Sequence, residues 1–153
     1  MTASFRTEPP RVPFQYAVLR AVPRVDRGEF VNVAVLLYCG PLEVLEVQIH
    51  LDPARLRVLD VDVDVEAVRS ALDAVRAVCA GDAAAGPAAR GSRRDRFGWL
   101  TAPRSTVLQP GPVHCGLTDD PTAQLRRLTA RLVLPLGTAA RNRAARPLRG
   151  GSS

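Results

Sequence analysis

Residues 16–39 read YAVLRAVPRVDRGEFVNVAVLLYC, two apolar segments on either side of a charged turn. In the first, Tyr16, Val18 and Arg20 alternate with Ala17, Leu19 and Ala21, the period of two that sends successive side chains to opposite faces of a strand. Pro23 closes it. The second segment, residues 30–39, is apolar at nearly every position and β-branched at Val31, Val33 and Val35, as a strand covered on both faces requires. Between them lies Arg24-Val25-Asp26-Arg27-Gly28-Glu29. Two strands so closely joined form a hairpin, and its second strand belongs in the centre of a sheet.

Working outward, Leu45, Val47 and Ile49 alternate with Glu46, Gln48 and His50, which predicts a half-exposed third strand. Asp52 followed by Pro53 is an N-cap with proline at the first helical position, opening a short helix to about residue 59. Val65, Val68, Leu72, Val75 and Cys79 recur at intervals of three and four, with Glu66, Arg69, Asp73 and Arg76 between them. This predicts an amphipathic helix over 65–79, with Asp64 as its cap and Gly81 as its stop. Residues 81–91 read as an exposed loop running into Arg90, Arg93, Arg94 and Arg96. Residues 97–101 and 106–109 read as short strands, and Pro110-Gly111-Pro112 as an irregular loop carrying His114 and Cys115. Asp120 and Pro121 open a last helix, with Leu125, Leu128 and Leu132 inward, that Pro135 ends. The expectation is an α+β fold: an antiparallel sheet of about five strands with two main helices packed on it, in a single two-layer domain. The domain should span 14–134, between a flexible segment 1–13 and a disordered Arg-rich tail 135–153.

The chain has 153 residues, enough for one core, and a net charge of +6. That charge is unevenly placed. Residues 14–134 hold 15 Arg against 14 acidic residues, residues 1–13 add +1, and the four arginines of the tail supply +4. All 21 basic residues are Arg. Without Lys, neither a Walker phosphate loop nor a Schiff-base mechanism is open. No apolar run approaches the roughly 18 residues of a membrane span, and the N-terminus lacks the apolar core of a signal peptide. Cys39, Cys79 and Cys115 form no CxxC pair, so reduced thiols and a cytoplasmic location are expected.

Four places could carry chemistry. The first is the turn, where Arg24, Asp26, Arg27 and Glu29 surround Gly28; it is either a solvated hairpin tip or a recognition surface. Asn32, polar within an apolar strand, needs partners if buried and is expected to tie the turn's backbone in place. The second is His114 beside Cys115, whose adjacent side chains on an extended chain point apart and so make a poor nucleophile pair. No metal site is expected from them. The third, Asp60, Asp62 and Asp64, lacks the Gly and Glu of a calcium loop and is better read as helix capping. The fourth, Arg104, Ser105 and Thr106 after Trp99, is either a β-turn beside a core tryptophan or an anion-binding corner. No cofactor is implied.

Three pieces together carry a resemblance: residues 16–39, the helix ending in VCAGD, and FGWLTAPRSTVLQPGPVHCGLTDDP. They resemble the bacterial family catalogued as domain of unknown function three thousand and thirty-seven, over residues 14–134. The resemblance implies a cytosolic protein without an established activity, often encoded beside a HipA-like protein kinase, and hence a regulator or accessory of such a kinase. Two functions stay open. One is a non-catalytic interaction module using the charged turn and the arginine loop. The other is a nucleic-acid-associated protein or hydrolase, with Asp26, Glu29 and His114 as acid–base groups and the Arg tail as electrostatic anchor.

Overall fold

The computed structural model of the chain describes residues 8–137. Strands β1 (Val12–Ala21), β2 (Val31–Cys39) and β3 (Val44–Ile49) form a meander of antiparallel neighbours. The far edge of β1 is shared by two shorter strands, β4 (Leu108–Pro110) against Leu19, Arg20 and Ala21, and β5 (His114–Thr118) against residues 12–16. The sheet order is β3-β2-β1-β4, with β5 also on β1. As expected, the fold is α+β with a five-stranded antiparallel sheet, and β2 lies inside it.

The helices α1 (Pro53–Leu59), α2 (Val65–Ala80), α3 (Arg93–Leu100) and α4 (Pro121–Leu132) start where the sequence supplies caps. Asp52, Asp64 and Asp120 each accept a backbone N–H of the first turn, and Pro53 and Pro121 take early positions where the absent N–H costs nothing. Gly81 ends α2 in the left-handed region, at φ 68°, which glycine adopts without a Cβ penalty. Asp60 accepts from Asp62 N. The aspartate run is therefore local capping and turn chemistry.

The two main helices take opposite faces of the sheet, so the two expected layers become three where α4 lies over β2 and β3. Leu36 and Leu37 are neighbours, both with no exposed area, yet they belong to different cores. Leu36 joins Leu19, Ala34, Leu56, Val68, Leu72, Phe97 and Leu100 under α1, α2 and α3. Leu37 joins Phe14, Val35, Cys39, Leu125 and Leu128 under α4. This explains the unbroken apolar run of β2.

Three segments differ from expectation. Residues 97–101 are not a strand, because Ser92 and Asp95 form a reciprocal capping box that starts α3. Arg96, expected in an exposed loop, donates from this helix to the carbonyls of Val78 and Cys79 at the end of α2, where a cation is favoured. Residues 81–91 are a loop only in part, since 83–85 and 87–89 form single 3-10 turns. His114 and Cys115 are not in an irregular loop but on β5, and only 111–113 bridge the two short strands. Pro110 is tolerated because β4 is an edge strand. Of the expected tail, residues 138–153 lie outside the described residues, as do residues 1–7 of the N-terminal segment.

Candidate functional site

The strand register between β1 and β2 decides what surrounds the hairpin. Leu19 faces Ala34, but Arg20 faces Asn32, so Val33 is an extra residue, a β-bulge. Val33 and Ala34 both enter the core beneath α2 and α3, and Asn32 is returned to the α4 face. There its Nδ2 donates to the carbonyl of Leu132, at 3.0 Å. Asn32 therefore braces the end of α4, not the turn as expected. Its Oδ1 is buried and has no partner.

The turn neutralises itself. Arg24 donates to Asp26 at 3.0 Å, and Arg27 donates to Glu29, with all four side chains exposed. The bond from Arg24 holds the Asp26 carboxyl below the usual range, which makes it a weaker base. Arg27 and Gly28 N–H groups donate back to the carbonyl of Arg24, and Gly28 takes φ 69°. The tip is shaped by its own backbone.

His114 lies elsewhere. It faces Tyr16 across β1 and β5, with ring centroids 5.2 Å apart. Tyr16 precedes the end of β1 by five residues, roughly 16 Å of strand. The register thus sets His114 apart from Asp26 and Glu29. Cys115, one residue on, faces Gln15 on the opposite side of the sheet. The Trp99 corner is also occupied: the Arg104 guanidinium lies 4.1 Å from the Trp99 ring centre and donates to the Trp99 carbonyl, and Thr106 donates to Leu108 O. Ser105 is exposed beside them. Trp99, 48% exposed, is a surface residue on α3 rather than a core tryptophan.

What sequence reasoning missed is Arg20. It sits between Asn32 on β2 and Gln109 on β4, on the face that α4 covers chiefly over β2 and β3. Its guanidinium carbon is 4.2 Å from the centre of the Phe30 ring. Gly111 also closes on it, since an added Cβ there would stand only 3.1 Å from that carbon. The group packs against both an aromatic ring and a glycine. Its Nε is buried without a partner, and among the described residues no carboxylate pairs with it. Val18 and Tyr16 continue the same face, half-buried, to exposed His114. The signal in the sequence was an arginine inside an alternating strand, with a lone Phe beyond the turn.

A protein family described as Protein of unknown function (DUF3037) matches residues 16–133. The chain belongs to this family. The matched span begins within β1 and ends just past α4, so it takes in residues 16–21 of β1, the other four strands and both main helices. No curated protein and no solved structure matches the chain. Among the described residues no helix is long and apolar enough to cross a membrane.

Proposed function

We propose that this member of the DUF3037 family is a recognition module that binds a protein partner in the cytoplasm and regulates it without a reaction of its own. The observation that supports this most is the half-covered α4 face, where Tyr16, Val18, Arg20 and Phe30 remain accessible beside a helix that buries the neighbouring strands. An aromatic, apolar and arginine surface of this kind suits a protein interface, whose central contacts are enriched in aromatic residues and Arg. The partner implied by the family resemblance is a HipA-like kinase. A hydrolase built on Asp26, Glu29 and His114 gains no support from the geometry, because the two carboxylates are bound to their own arginines and the histidine is stacked on Tyr16 well down β1.

The test is co-expression with a HipA-like kinase, the partner that the family resemblance implies, followed by size-exclusion chromatography and a kinase assay. Co-elution with altered kinase activity is the expected result. Separate elution with unchanged activity overturns the proposal.

A further inference from the structure

Resting on that reading, we infer that the partner is held through an acidic side chain whose carboxylate docks on Arg20, on the half-buried sheet face beside α4. The inference begins with a contrast among arginines. Arg24 and Arg27 are spent on Asp26 and Glu29, Arg96 on the end of α2, Arg104 on Trp99, and Arg55 on the carbonyl of Val133. Among the described residues Arg20 pairs with no carboxylate and no carbonyl, yet it is packed in place.

What holds it is packing. Phe30 and Gly111 both lie against the guanidinium, and Gly111 is itself fixed by donating its N–H to the carbonyl of Val18 at 2.7 Å. A planar fork packed against both has less rotamer freedom to lose when a ligand arrives, so binding bears less of that entropy cost. Such a fork fits a carboxylate through two parallel hydrogen bonds. The charge complement is a single negative group, since this row of the sheet carries one cation and no acid: Asn32, Arg20 and Gln109 in register.

One further feature favours an extended acidic segment over a free anion. Beyond Arg20 the same face of the sheet runs through half-buried Val18 to the Tyr16 and His114 rings, about 13 Å along β1, four residues away at strand spacing. That length accommodates several residues of extended chain, with apolar side chains on Val18 and the rings.

The probe is a fluorescently labelled short peptide alternating Glu with Val, followed by anisotropy on the full chain, against the same peptide with Gln in place of Glu. The Glu peptide should bind more tightly, and added salt should weaken it. Arg20→Gln should weaken it about tenfold or more, Arg20→Lys nearly as much because the fork is lost, and Gly111→Ala measurably by pushing the guanidinium aside. Circular dichroism melts show whether each variant is folded, and Asp26→Asn serves as a variant at a distant charged site that should bind normally. Equal binding of the two peptides overturns the inference, as does unchanged binding by Arg20→Gln. Displacement by acetate or inorganic phosphate at concentrations comparable to the peptide also overturns it, leaving a simple anion site. The two proposals separate cleanly. A kinase complex that Arg20→Gln leaves intact removes the carboxylate seat alone. Arg20-dependent peptide binding without a kinase complex removes that partner alone.

Discussion

The two faces of the sheet are covered unequally. Beneath α1, α2 and α3, apolar side chains from β1, β2, β3 and β4 meet a continuous cluster that includes Leu19, Leu36, Leu45, Leu56, Leu72, Phe97 and Leu108. Beneath α4, β2 is closed off but β1 is covered only over its first half, at Val12, Phe14 and Tyr16. On the proposed reading, stability and recognition fall on different sides of the same strands. A closed face must be apolar or fully paired, whereas the edge of an open face can hold an unpaired guanidinium. The bulge at Val33 is what makes the difference at residue level, because it turns Val33 into the closed core and Asn32 to the open side.

The hardest test of this comparison is a pair of truncations. Leu36→Ala removes a fully buried side chain from the closed face and should lower unfolding free energy by about 2–5 kcal/mol in urea titrations. Val18→Ala, on the open face, should cost less than about 1 kcal/mol. Equal losses would mean that the open face is buried in solution, and the contrast would fail.

A smaller effect is expected at the start of α3. Ser92 accepts from Asp95 N, while Asp95 accepts from Ser92 N, so Ser92→Ala removes half of a capping box. The expected loss is about 1 kcal/mol, read from the same titrations. Since α3 closes the face through Phe97 and Leu100, a null result would show that packing alone holds it.

How far these features were legible in the chain depends on how local their causes are. The helices α1, α2 and α4 were readable because Asp-Pro and Asp caps and a 3.6-residue period sit within a few positions of one another. The hairpin was readable for the same reason. Helix α3 was not, since Phe97 and Trp99 favour strands and the short Ser92 to Asp95 signal was passed over. Strand β5 was hidden by its flanking Pro residues, whose tolerance depends on lying at an edge. The packing of Arg20 could not be read at all. It needs the bulge to place Arg20 opposite Asn32, and it needs Gly111, some ninety positions away in sequence, to approach the guanidinium. The candidates that stood out by composition, the charged turn and the Arg104 corner, are the ones whose charges are already used.

At the margin of the closed face, Cys79 offers a test by pH. Burial pushes its thiol from an ordinary 9.0 up to about 12. Above pH 9 the unfolded chain releases a proton that the folded chain keeps, so stability falls as pH rises from about 9 toward 12, and below 9 this group contributes no slope. Denaturation midpoints measured between pH 8 and pH 10.5 should decline less steeply in Cys79→Ala than in the wild type, whatever the absolute cost of the substitution. Parallel curves would place Cys79 in contact with water and open the closed face at that point. Alkylation gives the companion reading: exposed Cys115 should react first, and half-buried Cys79 and buried Cys39 more slowly.

The smallest effect is predicted where the chain carries its densest charge. Asp26 is held ionised by Arg24, so its pairing stabilises the fold above the ordinary carboxyl pKa of 3.8 and is lost as pH falls through the lower folded value. Both partners are fully exposed, and water screens such pairs until little remains. Asp26→Asn should therefore leave the melting temperature at pH 7 within experimental error of the wild type, and any residual difference should shrink as pH falls below 3.8. The substitution also frees Arg24, giving the tip an uncompensated cation that Arg20 already has. If Asp26→Asn gained affinity for the Glu peptide comparable to that lost in Arg20→Gln, charge alone would suffice and the packing against Phe30 and Gly111 would be incidental. That packing matters only if a free arginine at the tip cannot replace it, because the guanidinium of Arg24 would still have to surrender its rotamer freedom on binding.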